Sequence, residues 1–174
     1  MNLQHYPIGE ESPKIVNIVV EIPKGSRQKY EYQEKTETFL LDRVLFSSVF
    51  YPTDYGFIPQ TRDHDGDALD AMIITDYPVF PGCIVEGRVI GLMKMIDGGE
   101  IDDKILCVPT ADPHYDHIKS MDDVDPHLIK EIANFFETYK ILQKKETKVE
   151  GWFDVEEAYK VIADCKKMEE ERTK

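Results

Sequence analysis

Apolar and polar positions alternate with a period of two over much of the first two thirds of this chain, then switch to a helical period after residue 125. Lys14 to Ile22 reads as a strand, because Val16, Ile18, Val20 and Ile22 alternate with a face that holds Asn17 and Glu21. Lys29, Tyr30, Glu31 and Tyr32 alternate charged with aromatic, which places Lys29 and Glu31 on one face about 7 Å apart. Thr38 to Phe46 predicts a third strand with Phe39, Leu41, Arg43 and Leu45 on one side. An arginine at an otherwise apolar position needs an anion, from the protein or from a ligand. Phe50 to Pro59 is aromatic and broken by proline and glycine, so it reads as a rigid loop in which the Tyr55 hydroxyl requires a partner. Ala71 to Ile74 is a buried strand, and a turn follows from Tyr77 to Gly82. Cys83 to Ile96 is a long strand interrupted by Gly87 and Gly91, a spacing that permits the coiling by which small barrels close. Asp97-Gly98-Gly99-Glu100 predicts a tight hairpin, with Ile101 to Val108 returning and Lys104 on the face of Asp102.

Asp125-Pro126 supplies an N-cap and a first-turn proline. Leu128, Ile129, Ile132, Phe135, Phe136, Tyr139 and Leu142 then mark an amphipathic helix. Lys144 to Lys148 reads as a basic loop and Val149 to Phe153 as a turn. Asp154 with Glu157 opens a second helix, whose stripe is Val155, Ala158, Tyr159, Ile162 and Cys165 and whose charged tail from Lys166 is expected to fray. Met1 to Pro13 reads as an irregular arm. Neither an internal repeat nor a linker is apparent, so the expectation is one domain over residues 1–174. Short strands followed by two helices predict a mainly β, α+β fold: a small closed or nearly closed barrel with helices packed on it.

Charge narrows the function. A formal net charge of −13 argues against nucleic acid and against an anionic membrane surface, both of which call for a basic patch. An anionic substrate would therefore need metal ions to invert the local sign. No run approaches the roughly 18 apolar residues of a membrane span, and the first residues show neither a basic segment nor an apolar signal core. Three widely spaced cysteines, Cys83, Cys107 and Cys165, suit reduced thiols better than a disulfide framework or a zinc site. The expected location is the cytoplasm.

The densest chemistry lies in Asp63-His64-Asp65-Gly66-Asp67-Ala68-Leu69-Asp70, four aspartates in eight residues. Like charges this close tend to hold either a proton or a cation, and hard divalent cations prefer oxygen ligands. An acidic turn without function would have the same composition. The apolar run that follows directly, with Asp70 at the mouth of a strand, favours metal binding. An EF-hand is excluded, since counting from Asp63 puts Ala68 at the glycine position and Ile74 at the glutamate position. His114, Asp116 and His117 read as a surface loop, because no third clear zinc ligand accompanies them. Glu21, the Lys29 and Glu31 pair, Asp97 and Asp102 are each open to a plain structural reading when taken alone.

Together these stretches resemble the soluble family I inorganic pyrophosphatases over nearly the whole chain, from Val20-Glu21-Ile22-Pro23 to Val149-Glu150-Gly151-Trp152. Asp65-Gly66-Asp67-Ala68-Leu69-Asp70 is similar to the family's D-G-D-P-x-D motif. Lys29-Tyr30-Glu31, Phe50-Tyr51-Pro52, Lys94-Met95 leading into Asp97, Phe135-Phe136-Glu137 and Tyr139-Lys140 agree as well. Ala68 stands where the family usually has proline and Asp54 where asparagine is common; neither change removes a functional group. The resemblance implies an OB-type five-stranded barrel, Mg2+ dependence, hydrolysis of pyrophosphate to two phosphates, and a homohexamer. It makes Asp65, Asp70, Asp97 and Asp102 the metal ligands, with Glu21 and Glu31 serving metal-bound waters or further metals. Lys29, Arg43, Tyr55, Lys104, Tyr139 and Lys140 become the phosphate-gripping groups, and Asp67 the general base.

The chemistry of the reaction fits that set. Attack on a tetra-anionic substrate needs a strong nucleophile and relief of charge, and two metals about 3.5–4 Å apart can supply both. Asp67 can take the proton while arginine and lysine stabilise the leaving phosphate. Two other readings stay open at this level: a noncatalytic divalent-cation module, and a phosphohydrolase acting on nucleotides or polyphosphate.

Overall fold

The computed structural model describes residues 2–172. Its frame is a ring of five strands. These are β1 (Ile15–Ile22), β4 (Asp54–Phe57), β5 (Asp70–Ile73), β6 (Ile84–Asp97) and β8 (Lys104–Pro109). β1 pairs with β4, β4 with β5, β5 with β8, β8 with β6, and β6 returns to β1. All pairings are antiparallel except β5 with β8. The closed five-stranded barrel expected from the sequence is present.

Buried side chains on the strands alternate between two cores. On β8, Ile105 and Cys107 face one cluster while Leu106 and Val108 face the other. Ala71 and Ile73 against Met72 and Ile74 divide the same way on and just beyond β5, which explains why both stretches read as continuous apolar runs. Helix α1 (Pro126–Thr138) closes the first cluster through Ile132, Phe135 and Phe136. Helix α2 (Val155–Arg172) closes the second through Ala158, Ile162 and Cys165. The caps are those expected: Asp125 accepts from the His127 N–H at 2.7 Å, and Asp154 from the Glu157 N–H at 3.0 Å. The three cysteines are free thiols.

Glycines act here by leaving space. At Gly56 an added Cβ would lie 1.9 Å from the Val19 carbonyl oxygen, so β1 and β4 approach closely beside the register shift at Val20/Ile22. At Gly91 the space is filled by the Met121 thioether.

Five expectations need correction. Phe50 to Pro59 is not a loop throughout: Asp54–Phe57 forms β4, a ring strand held between β1 and β5. Val149 to Phe153 is no turn: it belongs to strand β9 (Thr147–Phe153), which adds to the edge of β6, and its glycine, Gly151, takes a φ of 150°. Leu142 lies outside α1, in a short 3-10 turn, and is exposed with its neighbour Ile141. Leu41 is half exposed, because β2 (Gln28–Gln33) and β3 (Thr38–Val44) form a separate two-stranded sheet whose register shifts between Leu41 and Arg43, which breaks the alternation there. The α2 tail does not fray up to Arg172, since Glu169 is buried between Arg62 and Arg172. A two-residue strand, β7 (Glu100–Ile101), completes the hairpin after β6.

Candidate active site

Most of the site residues stand at the ends of elements rather than within them. Glu21 is near the end of β1, Asp70 opens β5, Asp97 closes β6, Asp102 follows β7, Lys104 opens β8, and Tyr139 and Lys140 follow α1. They meet around a cavity of about 320 Å3. Eleven of the thirteen predicted site residues line it; Arg43 and Lys104 do not.

Lys104 lies behind the wall. The parallel register sets Asp70 opposite Lys104, and the buried ammonium, 1% exposed, donates to Asp70 Oδ2 and Asp102 Oδ1, both at 2.7 Å, and to the Tyr55 hydroxyl at 3.0 Å. The Tyr55 hydroxyl in turn donates to Asp70. Arg43 finds its anion next door: it is ion-paired with Asp42, which Lys29 also approaches at 3.8 Å. Lys29 donates to Glu31, so the face shared by those two residues is as the period of two requires. Lys140 donates to Asp97.

The acidic loop is a compact turn. The Asp63 N–H donates to the Asp67 carbonyl at 2.7 Å and the Gly66 N–H to the Asp63 carbonyl at 3.0 Å. The Asp67 N–H donates to Asp65 Oδ1 at 2.9 Å, and Gly66 sits at φ 90°, a conformation that favours glycine. At the neck, Thr61 Oγ1 accepts from the Leu69 N–H at 2.9 Å. Asp65 and Asp67 are thereby presented on an exposed turn above a buried base.

Burial and crowding leave several of these carboxyls reluctant to ionise. Glu21 is pushed up to about 8, first by burial and then by Asp70 and Glu31, against the Tyr32 N–H at 2.7 Å and Lys29. Burial raises Asp70 and Asp102's charge adds to it, with Lys104 opposing. Asp67 is raised by burial, Asp65 and Glu31, against Arg62 and Lys29. Burial works against ionised Asp102 as well, but Lys104 overcomes it and holds the group below the usual carboxylate range. Burial also keeps the Tyr51 and Tyr55 hydroxyls protonated well above the ordinary tyrosine value, so both remain hydrogen-bond donors.

Among the described residues, no three His, Cys, Asp or Glu side chains already surround a single point. The ammonium groups of Lys104 and Lys140 lie against the carboxylates and balance part of their charge. The balance is incomplete. Eight carboxylates and only three cationic side chains line the cavity. An all-oxygen donor set with surplus negative charge fits hard divalent cations.

Arg62, Tyr51, Gln4 and Glu34 also line the cavity and were not among the predicted site residues. Gln4 comes from the N-terminal arm, where its side chain donates to the Thr61 carbonyl at 3.0 Å. Tyr51 packs between Tyr55 and Phe135, with ring centroids 5.4 and 4.8 Å away. A lone arginine bordering four aspartates was the one available signal for Arg62. Asp54 stays away from the cavity: it is fully buried and accepts from the Lys24 N–H at 2.7 Å and the Thr75 hydroxyl at 2.6 Å, securing the loop after β5. His114 is exposed and bonded to Asp112 at 2.8 Å, as a surface loop requires.

A family profile described as "Inorganic pyrophosphatase" matches residues 18–170. The chain is 49% identical over 167 residues to an inorganic pyrophosphatase of Synechocystis sp., covering 96% of this chain and 98% of that protein. It is 51% identical over 162 residues to one of Nostoc sp., covering 93% and 95%. The crystal structure of inorganic pyrophosphatase from Thermus thermophilus superposes with a TM-score of 0.95 at 42% identity, covering 98% of this chain and 99% of that one.

Proposed function

The chain belongs to the inorganic pyrophosphatase family, and from that premise we propose that it hydrolyses pyrophosphate to two orthophosphates in a Mg2+-dependent reaction at the carboxylate-lined cavity. It is an inorganic diphosphatase; the metal, the base and the phosphate ligands are our reading. The observation that carries it is the meeting of acidic strand ends with phosphate-seeking cations and tyrosine donors around one small cavity.

Asp65, Asp70, Asp97 and Asp102 would hold Mg2+, with Glu21 and Glu31 beside them. Bound Mg2+ supplies charge neutralisation for the phosphates and lowers the pKa of water at the site. Asp67, with its carboxyl raised above the usual value, is suited to take the proton as the water oxygen bonds to phosphorus and the bridging P–O bond breaks. Lys29, Tyr55, Tyr139 and Lys140 grip the phosphates. Lys104 acts from beneath, by fixing Asp70, Asp102 and Tyr55. Arg43 joins the phosphate ligands by exchanging its Asp42 partner for substrate. We read residues 1–174 as one domain acting in the cytoplasm, in keeping with three free thiols. We also read it as a homohexamer, in keeping with the large apolar side chains exposed on and beside the β2–β3 hairpin.

Phosphate release from pyrophosphate, with Mg2+ and with chelator, tests the reading. Asp67→Asn is expected to lower kcat at least about a hundredfold with Mg2+ binding retained. Arg43→Ala should lower kcat/KM by roughly tenfold or more. Turnover that survives both changes would remove both roles, and ATP hydrolysed as fast as pyrophosphate would turn the assignment towards nucleotides.

A further inference from the structure

The Asp65–Asp67 turn is exposed, and an added Cβ on Gly66 would meet nothing within 4 Å. Its shape nevertheless decides where two carboxylates point. Apart from hydrogen bonds within the turn, it is held by Arg62 Nη1, which donates to the Gly66 carbonyl. That carbonyl belongs to the peptide that leads directly into Asp67. Fixing its plane restricts the Cα–Cβ direction of Asp67 and, through Gly66, that of Asp65.

Arg62 is itself fixed from behind. Its N–H donates to the Cys165 carbonyl at 2.9 Å, and its Nε donates to Glu169 Oε2 at 3.0 Å. Both acceptors lie on α2, about a hundred residues further along the chain. Glu169, 7% exposed, is oriented in turn by Arg172, whose Nη2 is 2.7 Å from Oε1 and whose Nε is 3.0 Å from Oε2. A buried carboxylate gripped on both oxygens is a firm anchor, and the planar guanidinium spans it and the loop carbonyl at once.

We infer that Arg62 is a positioning residue: it braces the acidic turn against Glu169 of α2 and so sets the affinity of the site for its divalent cation. The inference rests on the reading that Asp65 helps to hold Mg2+ and that Asp67 is the base. Arg62 contacts neither the substrate nor the cation in this role. Its removal should therefore act mainly on the metal requirement and turnover, and little on the KM for pyrophosphate.

Mg2+ binding measured by titration calorimetry without substrate, beside steady-state phosphate release, tests it. Arg62→Met should weaken Mg2+ binding about tenfold, the usual loss when an outer-shell partner goes. KM at saturating Mg2+ should stay within about twofold. Arg62→Lys keeps the charge but cannot reach both acceptors with a planar fork, so it should not restore the affinity. Glu169→Gln, which keeps the shape and halves the grip, should shift Mg2+ binding in the same direction by a smaller factor, and it decides the matter if Arg62→Met does not fold. Unchanged Mg2+ affinity in Arg62→Met and Glu169→Gln, with Asp65→Asn losing it, overturns the brace while sparing the site. Full affinity in Arg62→Lys also overturns it, leaving charge alone as the cause. If Asp65→Asn keeps both Mg2+ binding and turnover, the assignment of the turn fails and the brace falls with it.

Discussion

Glu21 shows how much a single residue's role depends on what folds over it. By its place in the sequence it is a polar residue at a strand end, a position usually open to solvent. In the fold, β2 crosses it: the carboxylate accepts from the Tyr32 N–H, faces Asp70 and Glu31, and is pushed up to about 8. The native state therefore keeps a proton there that the unfolded chain, with an ordinary value of 4.5, releases. Protons bound by the native state and not by the unfolded state make stability fall as pH rises through that window, and the loss is complete above about pH 8. Asp70, also raised, acts with the same sign. Thermal unfolding in chelator should accordingly show Tm falling between about pH 4.5 and pH 8. Glu21→Gln should flatten that slope, and saturating Mg2+ should do so too by favouring the ionised carboxylate. A Tm that rises over the same range would contradict the burial of this group. Asp54 is the converse case, a departure from the family's usual asparagine that the structure explains by several converging donors and no contact with the cavity.

At the scale of elements, the barrel depends on close approaches that only glycine allows, and their costs differ in kind. A Cβ at Gly56 meets the Val19 backbone, which cannot move without opening the β1–β4 pairing and displacing Glu21 and Tyr55 together. At Gly91 the obstacle is the thioether of Met121, the end of a flexible side chain. Gly56→Ala should cost about 3 kcal/mol and Gly91→Ala about 1 kcal/mol, read from urea midpoints at constant m-value. Equal costs would mean that the strands separate more easily than their geometry suggests. The same distinction between local and remote causes governs what was legible beforehand. Period-two alternation found β1, and an apolar run found β5. The Asp125 and Asp154 caps found both helix starts, because each signal lies within a few residues of its effect. Strand β4 was missed, because Pro52, Gly56 and Pro59 break its pattern and its partners β1 and β5 lie outside that segment. Strand β9 escaped because Gly151 interrupts it and lysine and glutamate fill its exposed positions. Among the described residues its strand partner is β6, fifty or more residues away. The end of α2 escaped for the same reason, since it is held by Arg62, a contact 107 residues distant in sequence. Among the site residues, spaced motifs brought most to the cavity, while the burial of Lys104 and the pairing of Arg43 with Asp42 arise only from tertiary packing.

The whole molecule sets two tendencies against each other. A formal net charge of −13 makes like chains repel. Yet Leu40, Leu41, Val44, Phe46 and Phe50, within eleven residues, are all about half exposed. They belong to the β2–β3 sheet and the segment after it, and a lone two-stranded hairpin is marginally stable in water. Here it is steadied on one side by Tyr32, whose ring stacks on Phe57 at 5.9 Å, while its apolar outer positions remain uncovered. The hairpin also carries Lys29 and Glu31 into the cavity. Covering those positions with another copy of the chain would bury apolar surface and hold two site residues in place, so assembly and activity should be linked. Light scattering is expected to give six times the chain mass of 20.1 kDa. Leu41→Glu combined with Phe46→Glu should lower that mass and reduce kcat per chain, although neither residue lines the cavity. A monomer mass with full activity would separate the two, and the hairpin would then have to owe its order to Tyr32 and the strands beneath it alone.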